Sequence, residues 1–390
     1  MFTSAAGMNK SSYCITASCV VVEQLKVNMV LDSIRYQRGH LEVLDQLRLP
    51  FHSVYVAITS VDEAIRAIRV MRVRGAPAIA MVGILSIAVE LCKAEFDSTK
   101  SLETYVKGAL DSLVSARPTA VNIANARKRL VVMLESLQKE TGMTVIEGIE
   151  AIYSEDLETN KLIGEEGATA ISSTFPDNRA GVVLTHCNTG SLATSGYGTA
   201  LGIIRSLHNN GSLEHVYFTE TRPVNQGARL TSLELLNDKI PCTMVCDSAV
   251  AWLMRKQRIN AVIVGADCVA MNGDVANKIG TYGIAITALH HHVPFFVAFP
   301  TTTLSMSTPT GDHVKIEMRG GNEMRRISGV MTAPVETPCW NPAFDITPST
   351  LVTGGYVTER GLCRADGLQS LLPLQPDAEG NKPDAAAFPN

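Results

Sequence analysis

A thiol, a carboxylic acid and basic groups recur in this 390-residue sequence at one kind of place, just after a short apolar run. Cys187 follows Val182 to Leu184 in GVVLTHCNTGSLATSGYGTA, Asp267 follows AVIVGA, and Arg222 with NQGAR follows HVYFTE. Asn277 and Lys278 stand behind Asp267 in NGDVANKIGTYG. One thiol and one carboxylic acid at adjacent strand ends, among backbone amides and a lysine, could serve as acid and base on a phosphorylated substrate. The segment NTGSLATSGYG offers amides and hydroxyls at the start of a helix, which is how an anion is held without bulky cations. It has neither Walker spacing nor a GxGxxG fingerprint. Asn277 and Lys278 are expected to open the helix NKIGTYGIAITALHHH, setting a cation beside a second helix N-terminus.

Each of these residues also has a plainer reading. Unpaired cysteines are among the most buried residue types, so Cys187 alone fits packing as well as chemistry. Asp267 fits packing poorly, because a carboxylate behind an apolar run is costly to bury unless it is hydrogen-bonded or protonated. Arg74, in VRGAP, fits an ordinary surface arginine, or a guanidinium converging with an exposed amide between two apolar helices. His290, His291 and His292 point about 100° apart on a helix and cannot face one ion. They suit a helix C-terminus, where they complement the dipole, and no metal is expected. Cys242 and Cys246 fit a strand and its following turn.

The elements that must position these residues follow from periodicity. After residue 180 the apolar runs GVVLTH, HVYFTE, CTMVC, NAVIVGAD and PFFVAFP alternate with the helical segments TALGIIRSLHNNG, GARLTSLELLND, SAVAWLMRKQR and KIGTYGIAITALHHH. Strict alternation predicts a parallel sheet with helices on both faces, and such sheets bind ligands at the carboxyl ends of their strands. Residues 24–57 read as a few short strands. SVDEAIRAIRVMRVRG opens with Ser60 as N-cap and Glu63 three residues on, and is expected to close at Gly75. PAIAMVGILSIAVELCKAEF is apolar nearly all round and reads as a buried helix. NIANARKRLVVMLESLQKE and VIEGIEAIYSEDLETNKLIGEEGATAISS continue the helical region, the latter long enough to bridge to the next domain. The fold class expected is α/β. An N-terminal, mainly helical domain with a few short strands spans 24–174, and a C-terminal Rossmann-like domain with a parallel sheet spans 175–372. A polar extension (1–23) and a disordered tail rich in Pro, Asp and Ala (373–390) flank them.

Whole-chain properties narrow the function. The length exceeds the roughly 250–300 residues at which single cores stop growing. A net charge of −4 provides no field for a polyanion, so nucleic acid is not expected as a partner. Nine cysteines, odd in number and without a CxxC pair, argue against a disulfide framework and for a reducing compartment. The N-terminus lacks the basic and apolar regions of a signal peptide. No run of about eighteen apolar residues is present, so no membrane association is expected.

Seven ordered blocks carry a resemblance: RGAPAIA (74–80), THCNTGSLATSGYGTALGIIR (185–205), TETRPVNQGARLTSLEL (219–235), VIVGAD (262–267), NGDVANKIGTYG (272–283), STPTGDHVKIEMR (307–319) and NPAFDITP (341–348). Together they resemble the 5-methylthioribose-1-phosphate isomerases of methionine salvage, over residues 24 to 372. That superfamily also holds ribose-1,5-bisphosphate isomerases and the regulatory subunits of a translation-initiation guanine-nucleotide exchange factor. NPAFDITP is common to all. HCNTG with GAD separates the isomerases from the regulatory subunits, and CNTG rather than a CNSS-like sequence favours the methylthioribose substrate.

The resemblance implies a sugar-phosphate substrate, a homodimer, a cytoplasmic and nuclear location, and no metal or organic cofactor. It makes Asp267 the proton donor and Cys187 the group that supports the transition state. Substrate contacts fall on Arg74, Gly75, Ala76, Arg117 in SARPTAVN, Gln226, Asn277 and Lys278. A phosphate ester at C1 blocks ordinary opening to a free aldehyde, so an acid must help open the ring while hydrogen moves from C2 to C1. Asp267 can be that acid only with its pKa raised by burial. Cys187 can move the C2 proton only with its pKa lowered by helix-terminal amides; this proton route is the expectation, with hydride transfer as the alternative. The competing functions are ribose-1,5-bisphosphate isomerisation and non-catalytic binding of a sugar phosphate or nucleotide. Three positions depart from the family pattern: Cys268 stands for the usual Arg, Ser305 for Asp and Met318 for Glu.

Overall fold

Period-two alternation within continuous apolar runs builds the central sheet of this computed structural model, which describes residues 31–117, 121–136, 142–176 and 179–371. The expected polar extension and C-terminal tail lie outside the described residues, as do positions 118–120 of SARPTAVN. Successive side chains of a strand face opposite sides of its sheet. In β4 (Gly181–Thr185), Val182 and Leu184 enter one core while Val183 enters another, and β7 (Ala261–Val264) and β10 (Phe295–Ala298) divide in the same way. With β5 (Leu213–Thr219), β6 (Cys242–Val245), β14 (Gly355–Thr358) and β15 (Gly361–Cys363) they make a seven-stranded sheet ordered β15-β14-β10-β7-β4-β5-β6. All pairings are parallel except that of the edge strand β15. Helices α8 (Val250–Lys256) and α9 (Thr281–His290) cover one face, and α6 (Ala200–Asn209) and α7 (Ser232–Asn237) the other. The chain is therefore mixed α/β, as its alternation predicts.

Ahead of the sheet, the antiparallel strands β1 (Ile34–Gln37), β2 (His40–Leu44) and β3 (Tyr55–Ala57) pack against a helical cluster. Its helices are α1 (Val61–Arg69), α2 (Ala76–Leu91), α3 (Thr99–Ala116), α4 (Val121–Ser136) and the first half of α5 (Gly142–Ser172). The all-round apolar helix α2 is its axis, with nearly every residue buried. Ser60 caps α1, its Oγ accepting from the Glu63 amide at 3.2 Å while the Glu63 carboxylate accepts from the Thr59 amide at 2.8 Å. α1 ends at Arg69, however, and not at Gly75. Met71 turns to φ 65° and the Arg72 amide bonds back to the Ala67 carbonyl at 3.0 Å, a Schellman closure that stops the helix early. The freed residues 70–75 form a link, and Gly75, at φ 91°, starts α2 instead.

A second difference concerns Asn277 and Lys278. They do not open a helix; they end β9 (Val275–Lys278), which pairs with β8 (Cys268–Val269) and β13 (Phe344–Thr347) in a small antiparallel sheet. The register sets Asn277 opposite Asp345 and Lys278 opposite Phe344. Gly280 then turns at φ 106°, and α9 begins at Thr281. Asp345 caps this start, accepting from the Gly280 amide at 2.7 Å and the Tyr282 amide at 3.2 Å, so the amides expected to hold an anion are already bonded. A small hairpin, β11 (Arg326–Ile327) and β12 (Val330–Met331), lies on the surface between these elements.

Candidate active site

The sheet brings its chemistry together because β4 and β7 are adjacent and parallel. Cys187 lies just past the end of β4 and Asp267 just past the end of β7. Both line a cleft of about 900 Å³ between the helical cluster and the sheet. Arg74, Gly75, Ala76, Arg117, Gln226, Asn277 and Lys278 line the same cleft, so every residue expected to contact substrate converges there. Arg222 does not. Its guanidinium turns away to donate to the Pro223 carbonyl at 2.8 Å and the Met324 carbonyl at 2.9 Å.

Local structure fixes the thiol. Cys187 adopts φ 66°, its amide donates to Thr221 Oγ1 at 3.0 Å, and its carbonyl accepts from Thr231 Oγ1 at 2.5 Å. The buried ring of His186 faces the Ile279 carbonyl with Nε2 at 2.9 Å, so that nitrogen carries the hydrogen and Nδ1 accepts from Thr219 Oγ1 at 2.6 Å. Burial holds this imidazole neutral by lowering its pKa. The loop after Cys187 is tied down by Glu234, a fully buried carboxylate accepting from Asn188 Nδ2, the Ser191 amide and Ser191 Oγ, each at 2.7 Å. Arg205 completes the set at 2.8 Å. Burial alone would raise the Glu234 pKa, but Arg205, Asn188 and Ser191 together outweigh it and hold the group ionised.

The charges inside the cleft are unevenly matched. Burial raises the Asp267 pKa, with Lys278 and Arg117 pulling the other way, as its expected role as an acid requires. Cys187 departs from expectation: burial pushes its thiol up to about 11, and Lys278, the Asn188 amide and Arg74 only partly offset this. Helix-terminal amides do not make it a resting thiolate, because burial outweighs the Lys278 and Arg74 cations and the Asn188 amide. Burial of the Arg74 guanidinium, together with Arg229, Arg319 and Arg117, lowers its pKa to about 10. Its Nε donates to the Met71 carbonyl at 3.2 Å, but Nη1 has no partner among the described residues. Lys278 donates to the Ala343 carbonyl at 2.9 Å and lies 4.5 Å above the Phe344 ring. A cleft with an unneutralised guanidinium and an ammonium group is built for an anion.

Two contributors escaped the sequence reading. Glu234 sits in the block TETRPVNQGARLTSLEL but receives no role there, and Gln46 follows β2 in a loop that carries no motif. Two of the departures from the family pattern explain each other. Cys268 is buried and hydrogen-bonded to Ser305, so the usual Arg and Asp are replaced together by a neutral pair and no charge is stranded. Met318 lies on the surface, 55% exposed, outside the cleft lining.

Comparison with known proteins agrees with this geometry. The model of the Initiation factor 2 subunit family matches residues 72–365. The methylthioribose-1-phosphate isomerases of Drosophila pseudoobscura pseudoobscura and Drosophila persimilis are each 51% identical over 357 residues, covering 88% of this chain and 98% of theirs. The crystal structure of 5-methylthioribose 1-phosphate isomerase from Pyrococcus horikoshii OT3 superposes with a TM-score of 0.79 at 33% identity, covering 88% of this chain and 96% of that one. The structure described as translation initiation factor eIF-2B subunit delta from A. fulgidus gives 0.73 at 39% identity, over 86% and 96%. Structural likeness alone thus does not separate enzyme from initiation factor, whereas the relatives at 51% identity do. This chain belongs to the initiation factor 2 subunit family, alongside the methylthioribose-1-phosphate isomerases.

Proposed function

We infer that this protein is an isomerase converting 5-methylthioribose 1-phosphate, an aldose, into the ketose 5-methylthioribulose 1-phosphate in methionine salvage. The observation that carries this reading is the convergence of Asp267, Cys187 and the Arg74 guanidinium, with its unpartnered Nη1, on one cleft. Arg74 and Lys278 take the phosphate. Asp267, whose proton-bearing form burial favours, gives its proton to the ring oxygen as the C1–O bond opens. With Asp267 serving as the acid and burial holding the Cys187 thiol protonated, neither group acts as a base for the hydrogen at C2. That hydrogen therefore moves to C1 with its electron pair, C2–O becomes the carbonyl, and the hydroxyl proton released there returns to the Asp267 carboxylate. Cys187 supports the shifting charge as an un-ionised thiol.

Turnover in deuterated water tests the route: the substrate hydrogen is retained at C1, whereas solvent deuterium at C1 in every turnover would restore the proton route. Assaying the wild type on methylthioribose 1-phosphate and on ribose 1,5-bisphosphate tests the function. Activity on the first is expected, and inertness on both would leave a non-catalytic binding subunit. The reading extends to a cytoplasmic homodimer that needs no metal or organic cofactor.

A further inference from the structure

We propose that Gln46 is a specificity-determining residue of this site, whose side-chain oxygen accepts a hydrogen bond from a sugar hydroxyl that takes no part in the reaction. Gln46 is held at three points. Its amide donates to the Arg72 carbonyl at 3.0 Å, its carbonyl accepts from Arg229 Nη1 at 2.8 Å, and its Nε2 donates to the Leu192 carbonyl at 2.7 Å. The last contact fixes the amide orientation, since a flip would set two oxygens against each other. What remains is Oε1, an acceptor with no partner among the described residues, on a side chain 1% exposed that lines the cleft. A buried acceptor left unpaired is costly, and a ligand that satisfies it is selected over one that does not.

The kind of ligand group follows from the chemistry of the wall. An amide oxygen cannot take phosphate, and Arg74 and Lys278 already serve that end. It takes a donor, and a furanose 1-phosphate offers hydroxyls. Gln226 Oε1 is a second unpartnered acceptor on the cleft. It follows Thr221, which holds the Cys187 amide, and so belongs to the segment that supports the thiol. Gln46 comes from the helical domain and rests on the far side of the loop, at Leu192. On the reading proposed above, on which this inference rests, C1 carries phosphate, C2 reacts, C4 bears the ring oxygen and C5 carries sulfur. The hydroxyl left for Gln46 is that on C3.

The test compares wild type with Gln46→Met, which keeps length but removes the acceptor, on methylthioribose 1-phosphate and its 3-deoxy analogue. Wild type is expected to favour the hydroxylated sugar by roughly 10- to 100-fold in kcat/KM. Gln46→Met should lose that factor on the hydroxylated sugar alone, bringing the two substrates within about threefold of each other. An equal loss on both, with the wild-type ratio preserved, would overturn the proposal and leave Gln46 a structural tether. The ratio is taken on one protein sample, so partial misfolding cancels. Calorimetric binding of the same two sugars gives the ratio without turnover, so an inert wild type would count against the isomerase reading while Gln46 is still decided.

Discussion

Arg74 is a cation the protein holds at a cost. A guanidinium with a buried, idle nitrogen destabilises the empty fold, and an arriving anion offsets this. Arg74→Met is therefore expected to leave the melting temperature unchanged or raised while increasing KM by roughly 10- to 150-fold, the weight of one charged hydrogen bond. Thermal scans and steady-state kinetics on one preparation check both halves. Asp267 obeys the same logic with opposite charge. Its folded pKa is raised, so its contribution to stability is best below the unfolded value and declines as pH rises toward the folded one. Asp267→Asn should lose about 10²- to 10⁴-fold in kcat yet melt higher than wild type at pH 8, with the gap closing toward pH 4. In the wild type, activity should fall as pH rises through the Asp267 pKa, since the acid form is the working one. Asp267 stood out in the sequence because a carboxylate behind an apolar run is conspicuous, whereas Arg74 was singled out as a substrate contact by the family resemblance. Gln46 was not, since an uncharged amide in a polar loop looks the same whether it binds substrate or water.

Among elements, five of the six parallel strands were readable because each is a short, largely apolar run flanked by helix. β9 was hidden: VANK has no alternation, and its partner β13 comes only with Asp345 and its neighbours, far along the chain. The same pairing explains what NPAFDITP does here, since Asp345 caps α9. Burial lifts the Asp345 carboxyl to about 6, while the Gly280 and Tyr282 amides draw it down. Replacing it by Ala should lower stability by about 1 kcal/mol through the lost cap, readable in urea melts. Glu234 is the more consequential anchor. It is fully buried, paired with Arg205 and bonded to the loop carrying Asn188 and Ser191. Glu234→Ala removes one of the two carboxylates paired with Arg205, Asp238 remaining at 2.7 Å, and leaves the Asn188 and Ser191 donors unpaired, so it should cost about 1–3 kcal/mol; a midpoint unchanged in urea would show that the loop holds itself.

Across the whole molecule, two bodies share one 31-residue helix. α5 contributes Ile146 and Ile149 to the first core and Ile163 and Ile171 to the second. Among the described residues no helix is long and apolar enough to cross a membrane. Tyr282, Ile286 and Leu289 form an exposed stripe along α9, each more than two-fifths exposed. The proposed homodimer has there an apolar face to bury, and Ile286→Asp should shift light-scattering mass from twice the chain's 41.9 kDa toward a single copy.

Gly75 bears on how closely those bodies meet. It sits at φ 91°, and a Cβ there would overlap the carbonyl oxygen of Ala193, on the opposite wall of the cleft. One missing methyl group is thus the feeler gauge of the enzyme: any side chain at this position wedges the jaws apart by its own thickness. Arg74 and Gln46 would then hang short of a sugar still gripped by the sheet.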